Sequence, residues 1–277
     1  RRAEDPRLLM GLGKFNDDYR VENAATGHVL RSPHAHAEIR AIDTSKAKTM
    51  PGVLAVLTGE DLAYDGIGGF PGPPPFFAAL TKPDGSPLAY PPQYALTSDR
   101  VRYVGDPVAF VVAETLDQAR DAAEAINVDY AILPSVIDTA TAMDDGAAQI
   151  WDDVPGNFLF QAQIGDREAT DKAFEAAAHI ARVRLINQRI VQNSMEPRGA
   201  IGSYDVGEDR YTIYTSNQNR HLLRDWLAGA FFKCEPTKIR VLVDDVGGGF
   251  GMKTHPYPEQ VLVMVAAKRL GRTVKWI

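Results

Sequence analysis

The chain has 277 residues and is 45% hydrophobic, enough to bury one large core or two ordinary ones, and two domains are the better expectation at this length. Acidic residues outnumber basic ones by 36 to 30, and the net charge of −6 offers no footprint for a phosphate backbone, so nucleic-acid binding is disfavoured. The lone cysteine, Cys234, excludes an intrachain disulfide and an iron–sulfur cluster, which needs about four thiolates, so any electrons leaving this protein must be carried by another chain.

No apolar run approaches the roughly 20 residues that cross a bilayer, and Arg1-Arg2 is followed by Ala-Glu-Asp-Pro rather than by a hydrophobic signal region. A cytoplasmic protein with no membrane span is expected. The chain does not start with Met, which marks the numbered sequence as less than a full primary translation product.

Residues 1–17 lack a sustained period and read as an extended arm lying on another surface. Strands are expected around His28–Leu30, Ala37–Ile42 and Val53–Leu57, with a short helix at Ser45–Thr49 before Pro51-Gly52. From Tyr64 to Pro92 proline and glycine dominate, including Pro73-Pro74-Pro75, so neither ladder nor helix can persist and a long surface loop follows. Its Phe70, Phe76 and Phe77 suggest packing on a partner.

Order returns at Arg102–Val104 and in the apolar run Val108–Val112. Thr115 and Gln118 have capping-box spacing and open a helix to about Ile126; a strand at Val128–Ile132 then ends at Pro134. The acidic stretch 135–157 is the expected domain boundary. Beyond it the pattern predicts strands at Phe158–Gln163, Ala181–Ile190, Arg210–Thr215, Ile239–Val243 and Thr273–Ile277. Helices are predicted at Arg167–Ala178, Asn219–Phe232 and Tyr257–Leu270, with Phe174 of the first packing on a sheet. The fold class is α+β, a mixed α/β arrangement whose last strand is cut by the end of the numbered chain.

Gly247, Gly248, Gly249 and Gly251 surround Phe250 between a predicted strand and a predicted helix. Without Cβ atoms such a run lets a row of backbone N–H groups approach an anion closely. A phosphate-binding P-loop would need glycine where Met252 stands, and the same residue spoils a dinucleotide fingerprint that starts at Gly247. Gln218 closes a Thr-Ser-Asn-Gln stretch at a strand-to-helix junction, where its amide can hold a developing negative charge or simply cap the helix. Glu196, before Pro197, reads as a buried anchor or an acid/base group, the anchor being favoured. His34 and His36 share one strand face but lack a third ligand, so no metal site is expected from protein side chains; Cys234 reads as a core thiol. No nucleophile elbow or Ser/His/Asp order is present.

Glu196-Pro197, Ser216-Asn217-Gln218 and the Gly247–Gly251 loop, in that order, resemble successive blocks of the large, molybdenum-binding subunit of the xanthine dehydrogenase, aldehyde oxidase and aerobic carbon monoxide dehydrogenase family. Thr26–Ile39, Pro51–Val53, Thr58–Leu62 and Val104–Val112 look like that family's amino-terminal hammerhead domain, preceded by an arm at Arg2–Leu9 and Gly11–Phe15. The resemblance implies an arm at 1–17, a hammerhead domain at 18–140, a linker at 141–157 and the first, incomplete part of a molybdopterin-binding α+β domain at 158–277.

It further implies molybdopterin with molybdenum, in its cytosine dinucleotide form, held by Gln218, Gly248, Gly249, Phe250 and Gly251. Gln218 would hydrogen-bond an oxo ligand, and the Gly251 N–H would also point at one. The implied reaction is oxidative hydroxylation, with oxygen from water, of an aldehyde, an N-heterocycle or a carbon monoxide-like small molecule. Electrons would pass to iron–sulfur and FAD-carrying partner subunits in a hetero-oligomer, together with the remainder of the molybdenum subunit or a second half-subunit. Members of the family are far longer and carry their catalytic base near the carboxyl end, so this chain alone is expected to be incomplete and inactive. Two rivals are a non-catalytic assembly module for the iron–sulfur or flavin partners and a nucleotide-binding protein using Gly247–Gly251.

Overall fold

The computed structural model describes residues 2–70, 72, 88, 90–160, 165–187 and 190–277. A short helix α1 (Asp5–Leu9) opens the arm, which is therefore not extended throughout. Seven elements then build the first half: β1 (Ala25–Arg31), β2 (Ala37–Asp43), α2 (Ser45–Lys48), β3 (Val53–Thr58), α3 (Gly59–Tyr64), β4 (Arg100–Val101) and β5 (Pro107–Ala113). Helix α4 (Leu116–Glu124) and β6 (Asn127–Ile132) complete it. The expected capping box is present: the Gln118 N–H donates to Thr115 Oγ1 at 3.3 Å and the Thr115 N–H donates to Gln118 Oε1 at 3.2 Å.

The second half holds α5 (Arg167–Glu175), β7 (Ala200–Asp205), β8 (Arg210–Thr215), α6 (Arg220–Trp226), β9 (Ile239–Leu242), α7 (Pro258–Leu270) and β10 (Val274–Trp276). A single π-helical turn, Leu227–Phe232, continues α6. Strands from both halves share one seven-stranded sheet in the order β3-β5-β1-β10-β7-β8-β9, and β4-β2-β6 form a second, smaller sheet. The join is β10, which runs parallel to β1 on one side and antiparallel to β7 on the other. One face of the large sheet is covered by α7, which is buried on every side from Glu259 to Ala267, as expected of a helix apolar all round. Pro258 starts α7 and Gly271, at φ +60°, ends it in the left-handed conformation that glycine adopts without penalty. Across the sheet, Ala119, Ala122 and Ala123 of α4 pack with Val56, Ala109 and Val111 in a smaller core.

Several expectations are corrected. Residues 180–187 form no strand, and Val183, Leu185 and Ile186 are each exposed by more than three-quarters. Alternation makes a strand only where a neighbour completes the ladder, and none of the described strands lies beside this stretch. Residues 188 and 189 of the expected strand lie outside the described residues. Helix α5 exists but is exposed throughout, so Phe174 packs on no sheet. Residues 102–104 form a turn after the two-residue strand β4. Strand β7 arises where none was expected. Phe158–Phe160 is not a strand, and 161–163 of that prediction, the Pro73–Pro75 run, Phe76 and Phe77 all lie outside the described residues. Phe70, at the start of the proline-rich segment, packs edge-on against Phe231 of this same chain, with ring centroids 5.0 Å apart.

Candidate active site

Strands β8 and β9 are adjacent and parallel, so their carboxyl ends open side by side, the usual position of a ligand crevice in such sheets. The segment after β8 carries Ser216, Asn217 and Gln218; the segment after β9 carries the glycine loop. The two are sewn together by Gln218. Its backbone N–H donates to the Lys253 carbonyl at 2.9 Å. Its side-chain Oε1 accepts from the Gly251 N–H at 3.0 Å and the Lys253 N–H at 3.1 Å.

Two N–H donors on Oε1 fix the orientation of the amide. The NH2 group is left on the exposed side, with no acceptor among the described residues. The Gly251 N–H, which the resemblance aims at an oxo group, is therefore engaged by Gln218. The N–H groups of Gly248, Gly249 and Phe250 have no acceptor among the described residues.

Each glycine has a reason to be one. A Cβ on Gly249 would lie 2.5 Å from Gln218 Cδ, and one on Gly247 would collide with the Glu196 side chain. Gly248 and Gly251 have φ of +101° and +89°, a region glycine enters freely. Phe250 enters the same region at φ +50° although it carries a Cβ, and its ring is 72% exposed. Left-handed backbone at a non-glycine residue stores on the order of 1–3 kcal/mol and clusters at functional sites.

Beneath the loop lies a buried polar cluster. Glu196 Oε1 accepts from the Asn16 N–H at 2.9 Å; Oε2 accepts from the Gly247 N–H at 2.8 Å, from Lys253 Nζ at 3.0 Å and from the Ser216 hydroxyl. Burial pushes the Glu196 carboxyl up, but the bonds from Asn16, Ser216, Gly247 and Lys253 outweigh it and hold it below its ordinary value. Four bonds on a carboxylate buried to 9% exposure make it an anchor rather than a proton acceptor. Lys253, 1% exposed, also donates to the Glu196 carbonyl at 2.7 Å and to Ser216 Oγ at 3.0 Å. It points inward, unlike a P-loop lysine, and α7 starts only at Pro258. This geometry removes the support for a nucleotide cradle.

The arm reaches the same place. Arg7 donates to both oxygens of Asp245, one at 2.7 Å, and the Lys14 N–H donates to it at 2.7 Å. The Arg7 hydrogen bond is the main cause that holds the Asp245 carboxyl down at about 2. A cavity of about 300 Å³ adjoins the arm, lined by Phe15, Met195, Pro197 and Gly247 among others, but neither Gln218 nor Gly251 reaches it.

Other candidates lie elsewhere. His36 is buried with Nδ1 2.6 Å from the Pro134 carbonyl, while His34 meets the Tyr130 ring edge-on at 4.9 Å. Cys234 packs at the margin of the main core, and burial raises its thiol pKa. The sequence pointed to Gln218, Glu196 and the glycines but gave Lys253 and Ser216 no role. The spacing of 57 residues between Lys253 and Glu196 leaves no local pattern to read.

Residues 150–277 match the molybdopterin cofactor-binding domain, and residues 10–134 match the a/b hammerhead domain of aldehyde oxidase and xanthine dehydrogenase. The chain belongs to this molybdenum-binding large-subunit family. Among family members, it is 33% identical over its whole length to the carbon monoxide dehydrogenase large chain of Afipia carboxidovorans, covering 34% of that protein. It is 34% identical, again over its whole length, to the nicotine 6-hydroxylase large subunit of Paenarthrobacter nicotinovorans, covering 32% of it. The quinoline 2-oxidoreductase of Pseudomonas putida 86 superposes over the whole chain with a TM-score of 0.87 at 34% identity, covering 34% of that chain. The aldehyde oxidoreductase of Desulfovibrio gigas matches 99% of the chain with a TM-score of 0.79 at 26% identity, with 29% of that chain covered. The chain thus spans about a third of the length of the family members it matches.

Proposed function

We propose that this chain is the amino-terminal part of a molybdenum hydroxylase large subunit, and that Gln218, Gly248, Gly249, Phe250 and Gly251 hold one side of a molybdopterin cofactor in its cytosine dinucleotide form. The observation that carries this reading is the orientation of Gln218: with Oε1 bound to the Gly251 and Lys253 N–H groups, its NH2 group, like the N–H groups of Gly248, Gly249 and Phe250 in the facing loop, has no acceptor among the described residues. Preorganised donors beside an oxidised metal–oxo group stabilise negative charge as it develops. The donor set fits such a group. The glycine loop also fits, since nothing lies within 4 Å of the position a Cβ on Gly251 would take.

When bound, the cofactor would supply the two-electron oxidation and the water-derived oxygen. The chain's own part is positional. Gln218 donates through its NH2 group, Gly249 permits its close approach, and Glu196 is held ionised beneath as an anchor. An aldehyde, an N-heterocycle or a carbon monoxide-like molecule is the substrate class. The partners are iron–sulfur and FAD-carrying subunits of a cytoplasmic hetero-oligomer, together with the remainder of the molybdenum subunit or a second half-subunit. The similarity to carbon monoxide dehydrogenase and nicotine 6-hydroxylase large subunits supports this class.

Replacing Gln218 by Ala in the assembled enzyme removes one hydrogen bond to a charged centre, worth about 1.5–3 kcal/mol. Turnover of the folded, molybdenum-loaded variant is expected to fall roughly 10- to 150-fold, with a modest loss of stability because the Gly251 and Lys253 N–H groups lose their acceptor. Wild-type turnover in that variant removes Gln218 from the site.

A further inference from the structure

Lys253 is almost completely buried, and its side chain runs beneath the glycine loop rather than out to solvent. Its ammonium is held from three directions: the Glu196 carboxylate at 3.0 Å, the Glu196 carbonyl at 2.7 Å and Ser216 Oγ at 3.0 Å. Its backbone meanwhile grips Gln218 twice, through the N–H to Oε1 at 3.1 Å and the carbonyl to the Gln218 N–H at 2.9 Å. One residue therefore joins the buried ion pair to the Gln218 side-chain amide. The Ser216 partner lies two residues before Gln218 on the same connection, so Lys253 is fastened at both ends of the segment that carries the amide.

We infer that Lys253 is a positioning residue: its buried ammonium pins the loop so that Gln218 Oε1 faces the backbone donors and the Gln218 NH2 group faces the cofactor side. This inference rests on the reading of Gln218 as a cofactor contact. Without the pin, the amide is free to turn, and a turned amide presents a carbonyl oxygen, which repels an oxo group, in place of a donor. The glycine loop has few constraints of its own at this point, because Gly248 and Gly251 allow many backbone conformations. The lysine supplies what the glycines do not.

The test uses the full-length subunit in its assembled, molybdenum-loaded complex, with Lys253→Met, Lys253→Arg, Gln218→Ala and the Lys253→Met/Gln218→Ala double variant. Molybdenum content, kcat and KM, and the Mo(V) electron paramagnetic resonance spectrum of the reduced enzyme are measured for each. Lys253→Met is expected to retain molybdenum and KM, to lose about 10- to 100-fold in kcat, and to shift the Mo(V) spectrum in the same direction as Gln218→Ala. The double variant is expected to be no slower than Gln218→Ala, and Lys253→Arg to recover part of the loss.

A wild-type kcat and spectrum in Lys253→Met, with Gln218→Ala still perturbed, overturns the inference, as does full additivity in the double variant. If Gln218→Ala itself changes neither kcat nor spectrum, the reading of the site fails instead. Should Lys253→Met fail to fold or load, Ser216→Ala decides, since it removes one ammonium contact and leaves the ion pair. A smaller spectral shift in the same direction supports the inference, and a wild-type spectrum there overturns it.

Discussion

Glu196 accepts hydrogen bonds from three segments far apart in sequence: the arm through Asn16, the end of β8 through Ser216 and the glycine loop through Gly247 and Lys253. In Glu196→Gln an amide NH2 must face a backbone N–H or the lysine ammonium, leaving a buried charge unpaired, a loss of about 3–5 kcal/mol. Denaturant unfolding is expected to show that loss. The carboxyl's folded pKa lies below its ordinary value, so its contribution is complete above about pH 4.5 and fades as pH falls through the lower folded value. The acid limb of the stability profile should therefore be shallower in Glu196→Gln; identical limbs would show that another carboxylate governs acid unfolding.

The glycine loop, Gln218 and Glu196 were legible because each belongs to a short local pattern. Lys253 belongs to no local pattern of its own. Its partners are made neighbours by the parallel pairing of β8 and β9, which no spacing in the sequence encodes.

Among the elements, α7 shows what periodicity carries and what it does not. Its apolar run, Pro start and Gly stop mark a helix that is buried on all sides. Its seat, however, is β7, a strand that the sequence hides. Ala200–Asp205 contains a glycine and two polar residues and does not alternate convincingly. Gly202 is there because α7 lies against it: a Cβ would fall 2.7 Å from the Val263 carbonyl carbon and 2.9 Å from the Met264 nitrogen. Backbone cannot rotate away as a side chain can, so Gly202→Ala is expected to cost about 1–3 kcal/mol in chemical denaturation. A wild-type midpoint would mean that helix and sheet can move apart without loss. The converse error, the strand expected at Ala181–Ile190, has the same origin, since alternation describes a ribbon with two faces but does not provide the neighbour that a ladder requires.

Across the whole molecule, the two family-matched regions meet in one sheet, because β10 enters between β1 and β7. Side chains reinforce the join. Glu259 of α7, 1% exposed, pairs with Arg31 of β1 and Arg198, and Arg272 pairs with Glu114 through its two terminal guanidinium nitrogens. The exposed pairs contribute little by themselves, whereas the buried Glu259 fixes one registry of helix and sheet. Native-state hydrogen exchange is expected to find amides of β5, β1, β10 and β7 opening together, with a common free energy. Separate opening of β5–β1 and of β10–β7 would show two independent units sharing an edge.

The sequence by itself determined where the glycine loop and the Ser216–Gln218 segment lie along the chain, the α+β class, the helices with clear starts and stops, and the resemblance to the molybdenum-binding family. These rest on local physics: glycine's freedom of φ, capping spacing and apolar period all act within a few residues of chain. Only the tertiary structure decided which way the Gln218 amide points, that Glu196 is an anchor, that Lys253 fastens the loop from below and that both halves share a sheet. Those outcomes depend on contacts between segments dozens to hundreds of residues apart, made close by strand order and burial, and strand order is a property of the assembled sheet rather than of any one strand.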